Sequence, residues 1–128
     1  MTTVAQPGTA PDRRAAAYLL AQAIGVLVWW VAVIGSHAVR DRFFPYGGLD
    51  PAFAAFLVPD LILLVGGSLV VARHRLRRAS APLASGVLLG AVAYGTLYTA
   101  AWTFLLHAPP AGLVAMLVIA LSTWRSCR

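Results

Sequence analysis

Four apolar runs dominate this chain, and most of its arginines gather beside one set of their ends. The hydrocarbon core of a bilayer is about 30 Å thick, so a helix needs roughly 20 apolar residues to cross it. Within that layer only helices and closed barrels can satisfy their own backbone hydrogen bonds. The runs cover about 15–35, 51–72, 82–106 and 111–124. The expected fold is therefore all-α, a polytopic membrane protein with four transmembrane helices. The four-helix transmembrane domain would fill 13–128, behind a disordered cytoplasmic tail over 1–12, which is small, polar and proline-bearing.

Composition supports lipid as the solvent. Of 128 residues, 60% are hydrophobic and 11% charged, where a soluble domain carries about a quarter charged residues. Mean hydropathy is +0.79. A secretory signal is the competing reading of the first run, because Arg13-Arg14 precede it and Ser36-His37-Ala38 resembles a cleavage site. A signal core is usually about 7–15 residues, shorter than this run.

The arginines set the expected direction of threading. An even number of crossings places both termini and the central loop on one side. That side holds Arg13, Arg14, Arg73, Arg75, Arg77, Arg78, Arg125 and Arg128, and the other holds only Arg40 and Arg42, beside Asp41 and Asp50. Basic residues stay cytoplasmic, so the chain should sit N-in/C-in, multi-pass in a bacterial inner (plasma) membrane. The net charge of +6 comes from basic residues at the edges of apolar runs. That placement argues against nucleic acid as a partner and for the lipid bilayer. Arg73, Arg75, Arg77 and Arg78 form the densest cluster and are the candidate lipid-headgroup contacts.

Asp60 follows Pro59 and lies about 12 Å below the outer end of the second run at helical rise. An ionisable group at that depth is a functional candidate by default. Counting depth along antiparallel helices places Tyr98 beside it on the third run and Trp29 on the first. Tyr94, Tyr98 and Trp102 recur every four residues and share a face. The expected pair is thus Asp60 with Tyr98, or with Tyr94 one turn deeper. Such a pair locks two helices in register; a proton or cation relay and a substrate or headgroup contact are its alternatives. Gln22 is the one strongly polar residue of the first run.

Gly86 and Gly90 make a small-xxx-small match, extended by Gly95, and Gly66-Gly67-Ser68 offers a second close-approach patch. These glycines are expected to face one another between helices, ahead of pairing two copies of the chain. His37, His74 and His107 lack metal-ligand spacing, and Cys127 stands alone, so no metal, cofactor or disulfide is expected. No nucleophile elbow, phosphate loop or dinucleotide fingerprint is present, and no catalytic residue is assigned.

The stretch from Arg42 to Trp102, with its run PDLILLVGGS and the later GTLYTAAW, resembles a multi-span module of actinobacterial membrane proteins. Those proteins are related to isoprenylcysteine carboxyl methyltransferase-like proteins. The resemblance covers about half the chain and implies a relative without the catalytic part, which would follow residue 128. It transfers no methyltransfer residue. The leading expectation is a non-enzymatic accessory or interaction module, partnered by a larger membrane protein or by itself as a homo-oligomer. A small proton-coupled transporter and a truncated or partner-dependent enzyme acting on a lipid or isoprenoid are the alternatives.

Overall fold

The computed structural model describes residues 9–43 and 55–128, and these are helical apart from short connections. The first helix, α1 (Ala10–Gly35), opens on a capping box: Thr9 Oγ1 accepts from the Asp12 backbone N–H, and Asp12 returns a bond to the Thr9 N–H at 3.0 Å. These contacts satisfy donors that a helix start leaves free. Helix thus begins at Ala10, inside the tail expected over 1–12, of which residues 1–8 lie outside the described residues.

One seam of α1 is buried: Ala16, Leu19, Ala23, Val26, Trp30 and Val33. Their spacing alternates between three and four, the repeat that keeps one stripe against a partner helix along its whole length. The C-terminal carbonyls of α1 are capped from beyond its end. A short helix, α2 (His37–Phe43), turns Arg40 back so that its guanidinium donates to Val33 O at 3.1 Å and Ile34 O at 2.8 Å. The segment around Arg40, which lies between the first and second apolar runs, is helical. The start of the second run, expected at about residue 51, lies outside the described residues.

Helix α3 (Leu57–Leu76) is interrupted by a π-helical stretch over Asp60–Gly66 and continues regularly from Gly67. Its end is a Schellman turn, with Ala79 N–H bonding His74 O at 3.0 Å and Arg78 N–H bonding Arg75 O at 3.2 Å. Helix α4 (Pro82–Leu105) starts on a proline whose missing N–H costs nothing at that position. After a turn in which His107 has φ 52°, α5 (Ala111–Cys127) closes the described chain.

Helix α1 packs mainly on α3, and α4 mainly on α5, while α1 also meets α5 and α3 meets α4. Contacts between α1 and α3 run in opposite senses, Asp12 with Arg75, Gln22 with Ser68, Trp30 with Asp60. The two helices are therefore antiparallel. The outward surface stays apolar: Ile24, Val31, Leu83, Leu97, Phe104 and Leu121 are all largely exposed. Three helices, α1, α3 and α4, are long and apolar enough to cross a membrane, and α5 is a shorter apolar helix. An apolar exterior of this extent suits contact with lipid better than with water.

Candidate functional site

Asp60 sits where the helix geometry changes. At about 100° per residue, an α-helical path from Ser68 back to Asp60 would leave the two roughly 80° apart. The wider π turn, bonded i→i+5, rotates less per residue and brings Asp60 round toward the face of Ser68. Its carboxylate then meets α1: the indole N–H of Trp30 donates to Asp60 Oδ2 at 2.9 Å. Trp30 is 2% exposed and Asp60 is half-buried.

This pairing corrects the expected one. Tyr98 does not bond Asp60; its ring lies 4.6 Å from that of Phe56 and 6.1 Å from that of Trp102. Tyr94 is 63% exposed. On α1 the partner is Trp30, next to the Trp29 that depth alone selects, and the two rings meet edge-on at 5.0 Å.

A second polar coupling lies about 12 Å further along α1, eight residues at helical rise. Gln22 is buried and uses both ends of its amide: Nε2 donates to Ser68 Oγ at 3.1 Å and Oε1 accepts from Thr123 Oγ1 at 2.7 Å. One side chain thus ties α1 to both α3 and α5. Tyr18 adds a longer bond from its hydroxyl to Ile119 O at 3.4 Å. Gln22 stands out in the sequence as a lone polar residue in an apolar run, but Thr123 does not. Hydroxyls in such helices commonly bond back to their own carbonyls, as Thr96, Thr99 and Thr103 do here at 2.7–2.8 Å.

The glycines divide. A side chain at Gly67 would contact Leu88 of α4 at 3.4 Å, and one at Gly95 would meet Met116 of α5 at 2.9 Å. Gly66 would touch only backbone of its own helix, while Gly86 and Gly90 have nothing within 4 Å. The expectation that all five face one another between helices therefore fails for Gly66, Gly86 and Gly90. The outward pair lies on α4, the least buried of the three long helices.

At the arginine-rich ends the four longer helices surround a cavity of about 600 Å³. Arg75 and Arg78 line it, together with Arg128 from α5 and the start of α4. Arg73 and Arg77 are exposed and do not line it. The expected headgroup cluster is thus split into two pairs. Arg75 lies 3.9 Å from Asp12. Cys127 of α5 and Ser85 of α4 line the same wall. The Nδ1 atom of His74 is buried without a hydrogen-bond partner among the described residues. No three of His, Cys, Asp and Glu come together as a metal-binding set among those residues.

Comparison with protein-family models, with curated proteins and with solved structures finds no match.

Proposed function

We propose that the chain is a four-span inner-membrane protein, N-in/C-in, serving as a non-enzymatic accessory or interaction module within the bilayer. The observation that carries this reading is the use of the buried polar groups. Gln22 is tied to Ser68 and Thr123, and Trp30 to Asp60, so polar chemistry in the apolar interior is spent on helix register. Helix α5 spans about 26 Å over its 17 residues at helical rise. It would complete an up-down-up-down arrangement whose ends return the basic clusters to one side. The outward face of α4, with Gly86 and Gly90 bare, is the surface on which a larger membrane protein or a second copy would pack.

The test is affinity purification of the tagged full-length chain from solubilised membranes. The reading expects a larger membrane protein, or a second copy of the chain, in fixed ratio, and loss of that partner on G86L/G90L. A transporter instead predicts pH-dependent flux in proteoliposomes from the chain alone, abolished by Asp60→Asn. Observing that flux would displace the accessory reading.

A further inference from the structure

We propose that the cavity at the arginine-rich ends of the helices is a phosphate-binding site, formed by Arg75, Arg78 and Arg128 around the start of α4. The inference rests on the membrane reading above and gives that reading a specific ligand chemistry.

Three arginines, drawn from two different helix ends, line one cavity, and a single carboxylate on its wall, Asp12, stands against them, 3.9 Å from Arg75 and within electrostatic reach of Arg78. Guanidinium is the group best matched to phosphate, through paired N–H donors in a planar fork. The Arg128 guanidinium is held 4.4 Å from the centroid of the Trp124 ring, a contact that involves no acid. Ser80 and Ser85 add hydroxyls to the wall.

The start of α4 contributes as well. Its N-cap is Ala81, which offers no side-chain oxygen to the first turn. The first amides of a helix lack internal partners, and the helix dipole makes this end positive. Ala81, Pro82 and Ser85 of this helix start line the same cavity as the arginines.

Arg78 is also placed at a conformational cost. It occupies the position after the α3 C-cap with φ 51°, where glycine is the usual residue. An L side chain is strained in this left-handed conformation, where glycine is not. A sequence under no other demand would carry glycine, and this one carries a cation that lines the cavity. At about 600 Å³ the space suits a phosphate with a small attached group. Basic pockets between helices at the cytoplasmic surface are suited to anionic headgroups.

The phosphate could belong to a phospholipid or to a soluble phosphate ester, and the experiment separates them. Membrane fractionation of the full-length chain comes first, so failure of the membrane reading shows itself independently. The purified chain is then offered phosphatidylglycerol, phosphatidylcholine and glycerol 1-phosphate, with bound molecules counted by native mass spectrometry. The site predicts one phosphatidylglycerol retained per chain, preferred about tenfold over phosphatidylcholine, which corresponds to about 1.4 kcal/mol. Arg78→Gly should weaken retention about tenfold while the melting temperature holds or rises, because glycine relieves the backbone. Arg128→Gln should weaken it similarly, with no demand on folding. Arg73→Ala removes the same charge from a position outside the cavity lining and should leave retention unchanged. Saturable glycerol 1-phosphate binding with the same sensitivity to Arg78→Gly, without lipid retention, would assign a soluble phosphate to the site. Equal retention of both lipids with no binding of glycerol 1-phosphate would overturn the proposal, as would equal losses in R78G and R73A.

Discussion

The indole N–H of Trp30 donates to Asp60 Oδ2 at 2.9 Å, joining α1 to the π-helical stretch of α3. Because the π turn is what rotates Asp60 toward α1, local backbone and long-range partner specify each other. Trp30→Phe keeps a ring in the seam but removes the only donor that it offers. A buried acceptor left without its partner costs about 1–3 kcal/mol. Asp60→Asn keeps an acceptor oxygen for the indole and should cost less. Thermal unfolding in detergent should rank wild type, D60N and W30F in that order of decreasing stability.

Gln22 bridges two helices, so its loss should be felt on both. Hydrogen bonds between membrane helices average about 0.6 kcal/mol and reach about 1.7. Gln22→Leu should therefore destabilise by about 1–2 kcal/mol, below the sum expected for two strong bonds. A double-mutant cycle between Gln22→Ala and Thr123→Ala should show a coupling of several tenths of a kcal/mol. A pair lacking contact, Gln22 with Thr103, should show none.

The glycines make a contrast that needs only stability measurements. Gly86→Leu and Gly90→Leu enter open space and should leave the isolated chain as stable as wild type. Gly95→Ala displaces only the flexible end of Met116 and should be mild. Gly95→Leu overpacks the α4–α5 contact and should cost about 1–3 kcal/mol.

Arg40 closes α1 by bonding two carbonyls at once. Arg40→Lys retains the charge but not the fork, so it should recover only part of the loss in Arg40→Ala. Amide hydrogen exchange over the last turn of α1 should quicken in the order wild type, R40K, R40A. Equal exchange in R40K and wild type would show that charge alone suffices.

Much of the helical layout was legible. The start of α4 at Pro82 and of α5 at Ala111 follow from the prolines that precede or open them. The buried seam of α1 was not. In water a helix advertises its buried face by contrast with a polar one. Here Ala16 and Leu19 face a neighbouring helix while Leu20 and Ile24 face outward, and no contrast in polarity separates them. Glycine spacing likewise shows which residues share a face but not where that face points, so Gly86 and Gly90 were expected inward. For Asp60, depth counting came within one residue of its partner on α1. It went astray because it assumed a regular helix, and the π turn rotates the carboxylate toward Trp30 and away from Tyr98. Thr9 and Asp12 carry the spacing of a capping box, so the start of α1 is legible inside the polar, proline-bearing segment.

Whether α5 crosses the membrane decides between four crossings and three. A tandem reporter joined after Arg128, pairing alkaline phosphatase (active only outside) with a fluorescent protein (bright only inside), reads this directly. Four crossings predict bright fluorescence with inactive phosphatase when the amino terminus is also inside. Active phosphatase with dark fluorescence would place the end of α5 on the far side and contradict the account.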